Sequence, residues 1–556
     1  MKTNARRQHP SRWSAPLVAA LATFVALPAS AGLTLPSTPP GAGNGIPPNI
    51  LFILDDSGSM VFDAMPGDSI SDWKDRTYVH NSVYYNPATT YLPWKGADGN
   101  RLTGGTTYAA AYADLSRASG GTINLASSDS CEWVDRNGAN REVCGGTQTF
   151  YVPKDPSSTD ATYLASQRNY YRYQLRTGGT TRRSELVQQW DGDWEWGNHT
   201  ATTPTNRSDT DERGNYAVWF SYHRTRMKAA KAGASEAFSG LDGEKYRVGF
   251  TTIWGPNGDG YDNAEFLIPV ATDNGLFRGN NRTTWFSRLF EARGYNGTPL
   301  LPALQRAGNY FSQTGDTGPY GGTKDSSGKQ FQCRQNFSIL TTDGYWNSGT
   351  SGVGNADATA GTKISAPANA DGSPGKTYTY DPVAPYKGSA STTLADVAMH
   401  YWKTDLRTDL NNIVPTSALN PAFWQHMVTF GISIGLTGTV DQSSVKQVID
   451  KGGVSRNGAD LTDWPDPTDT ENDERIDDLL HAAVNGHGEF VAATDPAPLQ
   501  RHWKAPSPRS VSASAPGPTF RPAARPSAPR PSCSRRSTSA RAGAATSSPT
   551  RLPRAG

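Results

Sequence analysis

The sequence predicts a doubly wound α/β domain on a mostly parallel sheet, interrupted early by a large aromatic-rich insertion. Three observations lead there. Residues Asn49 to Leu54 (NILFIL) form a near-continuous apolar run of the kind that fills a central parallel strand, buried on both faces. From about Trp219 onward, apolar strands alternate with helical patterns, as βαβ units do. Between these regions, residues 61–218 lose core periodicity but are rich in Tyr, Trp, Thr, Ser, Asn and Gly. Disordered segments are poor in aromatics, so this stretch is expected to be a folded, loop-heavy subdomain inserted in the domain 49–500; long loops draped over the core are the alternative.

The elements follow in order. Lys2, Arg6, Arg7 and Arg12 precede the apolar run Ala15 to Leu27 and the small-residue site Ala29-Ser30-Ala31. This is the layout of a secretory signal peptide, residues 1–31. Its apolar part is too short to span a bilayer. The expectation is an exported chain beginning near Gly32, with no integral membrane segment after signal cleavage. Residues 32–48 are a Pro/Gly/Ser-rich linker. After the first strand and the insertion, Arg224 to Leu241 is an Ala-rich helix with Met227, Ala230, Ala234 and Phe238 on one face. Tyr246 to Trp254 is a strand, and Thr298 to Phe311 a helix with Pro near its start, where Pro is tolerated. Gln335 to Thr341 is a strand, Thr393 to Thr404 a helix, and His426 to Leu436 a strand. Arg475 to Val484 is a helix and Glu489 to Ala493 a short last strand. Segments 312–332 and 345–390 are Gly/Ser/Thr-rich loops.

Residues 501–556 change character. They hold ten Arg and one Lys, no acid and no hydrophobic periodicity, and cannot bury a core. They are either a basic disordered tail or, as we prefer to read an Arg/Pro/Ala/Ser mixture, out-of-frame translation of GC-rich coding sequence. The net charge of +2 therefore hides a body, 32–500, at −13. An acidic body argues against nucleic acid as partner and is compatible with divalent cations. Cys131 and Cys144 flank twelve turn-rich residues, and in an exported chain a local disulfide between them is expected. Cys333 has no obvious mate.

The chemistry concentrates at strand ends. Asp55, Ser57 and Ser59 follow the first strand at every second position. All three are hard oxygen donors, suited to Mg²⁺ or Ca²⁺ rather than zinc or copper. Thr298 follows Gly297, and Asp343 follows the strand ending at Thr341. Each would stand at the carboxyl edge of the sheet, where open α/β sheets bind ligands. Helix capping is the plainer role for Ser57 and Ser59. His481 lies beside Leu480 and Val484 and reads as a structural histidine. Asp466, Asp469, Glu471 and Asp473 lack the spacing of an EF-hand loop and read as a solvated loop, as does the ambiguous Asn257–Asp262 run. No nucleophile elbow, P-loop or dinucleotide fingerprint is present.

DDSGSM, NGTPL and TTDG resemble the metal-ion-dependent adhesion site of von Willebrand factor type A domains. The resemblance implies a Rossmann-like fold and a divalent cation, Mg²⁺ or Ca²⁺, held by Asp55, Ser57, Ser59, Thr298 and Asp343, with one position open to a partner carboxylate. Together with YNPATTYLPW, CRQNFSILTTDGYWN and IDDLLHAAVNGHGEF, these segments resemble the N-terminal half of the PilC/PilY family of type IV pilus biogenesis factors and tip-associated adhesins. That resemblance implies a non-enzymatic adhesion and pilus assembly protein of the periplasm, outer-membrane surface or pilus tip. Its partners would be pilin or minor pilins and host or abiotic surface ligands. Family members typically continue into a C-terminal β-propeller with a calcium site, which a tail of this composition is not; a truncated fragment is one alternative. A divalent-metal hydrolase is another, disfavoured because the donors suit static coordination rather than general-base work.

Overall fold

The computed structural model describes residues 45–114, 121–136, 139–256, 263–349, 352–417, 419–441, 454–456, 459–461, 463–469 and 472–493. The expected signal segment, most of the linker, the Asn257–Asp262 run, Glu471 and the basic tail lie outside them. Along the chain, β1 (Asn49–Leu54) leads into the insertion, which holds the hairpin β2 (Cys131–Arg136) and β3 (Ala139–Cys144). It also holds β4 (Gln148–Pro153), β5 (Tyr170–Leu175), β6 (Thr181–Gln188) and β7 (Trp194–Ala201). Helices α1 (Asp209–Tyr222) and α2 (Arg226–Ser239) lead to β8 (Arg247–Thr252). Then come α3 (Gly279–Glu291), α4 (Leu300–Phe311), β9 (Asn336–Thr342) and α5 (Leu394–Lys403). β10 (Met427–Ile434), α6 (Asp473–Asn485) and β11 (His487–Ala493) complete the order.

β8, β1, β9, β10 and β11 lie side by side in one sheet, and every neighbouring pair is parallel. Every residue of β1, β8, β9 and β10 is buried, as a sheet covered on both faces requires. The alternation of β1 sorts the two cores. Ile50, Phe52 and Leu54 pack with Met227 and Phe238 of α2 and Trp285 and Phe286 of α3. Leu51 and Ile53 pack on the other face with Leu301 and Leu304 of α4, Leu394 and Val397 of α5 and Leu479 of α6. The chain leaves β1 toward β8 and then returns past β1 to β9, so the gap beyond the carboxyl ends of β1 and β9 is the topological switch point of the sheet.

Two long helices were not read from the sequence. α1 begins on Ser208, whose hydroxyl accepts from the Asp211 amide at 3.1 Å, and runs across the expected end of the insertion at 218. α3 starts Gly-Asn-Asn-Arg, a poor helix opening; Trp285, Phe286 and Leu289 are buried in the core and Phe290 is partly buried against it.

The insertion's aromatics form a core of their own. Tyr85, Trp94, Phe150, Tyr173, Tyr216 and Trp219 are buried together. Their polar ends are satisfied: the Tyr85 hydroxyl donates to Glu212 at 2.6 Å and the Trp94 indole N–H to the Tyr222 carbonyl at 2.7 Å. β4 to β7 form one antiparallel sheet in sequence order. Cys131 and Cys144 sit opposite each other in the hairpin and are bonded, and among the described residues no cysteine is free. His481 is buried, stacks on Trp464 and donates through Nε2 to the Tyr386 carbonyl at 2.7 Å.

Candidate functional site

Three loops converge at the switch point. The first leaves β1 at Asp55, whose carboxylate is fully buried. Asp55 Oδ1 accepts from the Ser57 amide at 2.7 Å, closing the turn that lines up the two serines. Asp55 Oδ2 accepts from the Thr342 hydroxyl at 2.7 Å and the Asp343 amide at 3.3 Å, which ties the first loop to the end of β9. The second loop, Gly294–Thr298, reaches the first through the Gly58 amide, 2.7 Å from the Asn296 carbonyl, and the Tyr295 amide, 2.7 Å from the Asp56 carbonyl. Gly294 is required at this approach, because a Cβ there would stand 2.7 Å from the Ser57 carbonyl oxygen. The third loop carries Asp343, also fully buried. Asn347 further along it holds Thr298 in place by two backbone bonds: its Oδ1 accepts from the Thr298 amide at 2.9 Å, and its amide donates to the Thr298 carbonyl at 3.1 Å.

Ser57 Oγ, Ser59 Oγ and Asp343 Oδ1 form a compact triangle. The two hydroxyls are 3.0 Å apart, Ser59 Oγ is 2.8 Å from Asp343 Oδ1, and Ser57 Oγ is 3.4 Å from it. Adjacent ligands of an octahedral ion with Mg²⁺-length bonds stand about 3 Å apart. Three hard oxygens already at that separation therefore fit one face of such a shell. Both oxygens of Asp55 are engaged by protein donors, the Ser57 and Asp343 amides and the Thr342 hydroxyl. Thr298 stands beside the cluster, its backbone tied to Asn347. Burial, and then the neighbouring Asp343 charge, push the Asp55 carboxyl up to about 7. Asp56 is turned away from the triangle, accepting from the Asn263 side chain at 2.8 Å and the Trp254 amide at 3.1 Å.

No family model matches the chain, and no solved structure matches it. Three curated proteins do. The chain is 31% identical over 518 residues to the type IV pilus biogenesis factor PilY1 of Pseudomonas aeruginosa strain PAK, covering 86% of this chain and 40% of that protein. The PilY1 proteins of strains PAO1 and UCBPP-PA14 are 31% and 29% identical over 516 and 500 residues. The chain belongs to the PilC/PilY family. It spans about 40% of the length of the curated relatives it matches.

In this PilC/PilY chain all five residues singled out by sequence lie on the three converging loops, four of them in one hydrogen-bonded cluster and Thr298 beside it. Sequence reasoning missed Arg226. This first residue of α2 is buried, and its Nη1 lies 3.0 Å from Asp343 Oδ2. Its Nε donates to the Ala64 carbonyl at 3.0 Å and its Nη2 to the Gly67 carbonyl. A cation in the first turn of a helix opposes the helix dipole. That placement was the available signal that a carboxylate must face it. Thr342 and Asn347 lie in the quoted TTDG and CRQNFSILTTDGYWN segments, but their roles were missed, because both act through loop-to-loop bonds.

Proposed function

We propose that this chain acts in type IV pilus assembly and adhesion, binding a partner carboxylate through a divalent cation held at the three-loop site. The supporting observation is the triangle of Ser57, Ser59 and Asp343 at the sheet's switch point, in a chain whose relatives are named type IV pilus biogenesis factors. The arrangement resembles a metal-ion-dependent adhesion site on a von Willebrand factor A-like fold. Ser57, Ser59 and Thr298 would supply neutral hydroxyls; Asp343 and Asp55 would supply the charge. When bound, the ion supplies an electrophilic position that an incoming carboxylate can occupy. Around it the chain's own residues do the rest: Thr342 orients Asp55, and Asn347 orients the Thr298 loop. The donors are fixed by hydrogen bonds and suit coordination rather than turnover. The expected partners are pilin or minor pilins and host or abiotic surface ligands, outside the cytoplasm. Among the described residues no helix is long and apolar enough to cross a membrane.

The test is cation-dependent melting. Mg²⁺ or Ca²⁺ in excess should raise the melting temperature of the wild type, since an ion that binds only the folded state stabilises it. Asp55→Ala and Asp343→Ala should lose that increment. Equal increments in both variants and the wild type would remove the site assignment.

A further inference from the structure

We infer that Arg226 sets the charge of the candidate cation site: by holding one oxygen of Asp343 in a buried ion pair, it keeps the loaded site cationic and so selects anionic ligands. This rests on the proposed cation site. Asp343 is fully buried and splits its two oxygens between two tasks. Oδ1 faces the serine hydroxyls, while Oδ2 is taken by the Arg226 guanidinium. Arg226 itself is held from three sides, by the Asp343 carboxylate and by the Ala64 and Gly67 carbonyls, and its plane lies over Phe62. Its backbone amide also donates to the Phe62 carbonyl at 3.2 Å.

The charges facing the triangle are then Asp55, Asp343 and Arg226, a net of one negative. A divalent ion added to them leaves one net positive charge. Without Arg226 the same ion would be neutralised by the two carboxylates, and an incoming carboxylate would gain far less from it. A guanidinium this close and this shielded acts with little solvent screening. The same side chain closes the segment 62–67 over the carboxyl edge of the sheet. Met65 there packs on Gly435, where a Cβ would stand 1.5 Å from the Met65 sulfur. The neutral hydroxyls and the ion-paired carboxylate are thus parts of one charge design.

The test uses Mn²⁺ binding by calorimetry on wild type, Arg226→Gln and Arg226→Lys, each compared with its own melting curve in chelator. Arg226→Gln should bind Mn²⁺ about tenfold or more tightly than wild type, while Arg226→Lys should stay within about threefold of it. Acetate should displace metal-bound water in Mn²⁺-loaded wild type, read by water proton relaxation, and should do so several-fold more weakly in Arg226→Gln. Mn²⁺ affinity unchanged or weakened in a folded Arg226→Gln overturns the inference, as does unchanged acetate binding. If Arg226→Gln does not fold, Arg226→Lys decides: a change beyond about threefold means that the fork's geometry matters, not its charge. A wild type that binds no Mn²⁺ and gains no stability from Mg²⁺ or Ca²⁺ fails the cation site itself, a different outcome from either.

Discussion

At the scale of single residues, the site is a set of bonds between chain positions far apart, and this divides what was legible from what was not. Asp55, Ser57, Ser59 and Asp343 could be read because each sits at the end of an apolar strand, where the fold class places ligands. Arg226 was signalled only by its place at the start of a helix, and its partner lies 117 residues away. Thr342 is the sharpest single test of the bonded cluster. Its hydroxyl donates to Asp55 Oδ2 at 2.7 Å. Thr342→Val keeps the shape, removes that donor and leaves a buried carboxylate oxygen short of a partner. The expected cost is about 1–3 kcal/mol in urea unfolding, with a weaker cation response. A variant as stable as wild type would show that the bond contributes nothing to holding Asp55.

At the scale of elements, α2 explains how the insertion is attached. The sequence marked this helix correctly by its apolar face, Met227, Ala230, Ala234 and Phe238, and said nothing of its lysines. Lys228 and Lys231 are buried. The Lys228 ammonium donates to the Tyr112, Ala113 and Phe220 carbonyls at 3.0–3.1 Å, clamping α2 to the insertion. The Lys231 ammonium donates to the Phe290 and Ala292 carbonyls at the end of α3, just before the loop that carries Thr298. Lys228→Met should cost about 2 kcal/mol or more, because three buried carbonyls lose their donor, whereas Lys245→Met on the surface should stay within about 0.5 kcal/mol of wild type. Denaturant midpoints compare the two, and equal midpoints would reduce Lys228 to a surface-like residue. α4, α5 and α6 were legible for the same reason as α2, an apolar stripe at helical spacing. α1 was hidden because its large aromatics pack into the insertion rather than along one stripe facing the sheet, and α3 because its opening residues resemble a loop.

At the scale of the whole molecule, buried titratable groups pull stability in opposite directions with pH. His223, His426 and His487 are pushed down to about 4 and His481 to about 3, chiefly by burial. The unfolded chain takes up these protons first, so this stability is present above the unfolded value of 6.5 and is lost as the pH falls. His481 Nε2 lies 3.5 Å from Asp357 Oδ2, but burial keeps the ring neutral and its proton goes to Tyr386, so the contact is not an ion pair. Burial, then Asp396, raises Asp357 to about 8; burial raises Asp478, which caps α5, to about 7. These folded carboxyls hold protons the unfolded chain has released, so their stability is lost as the pH rises through 7 and 8. The histidine contribution is nearly constant between pH 7 and 8, but burial lowers Lys228 and Lys231, which adds stability as the pH rises there. The carboxyl effect is therefore read by difference: the wild-type urea midpoint in chelator should fall relative to that of Asp357→Asn. A wild-type midpoint that holds level with, or rises against, that of Asp357→Asn would contradict the carboxylate environment described. The order of the parallel sheet has a consequence in time rather than in energy. Asn49 pairs with Arg247 and Asn336, 198 and 287 residues later in the chain. The first strand to emerge must therefore wait, unpaired and apolar, while the insertion and half the domain are made. Closing loops of this length is slow. The three-loop site cannot exist until the wait is over, because its parts come from both sides of it.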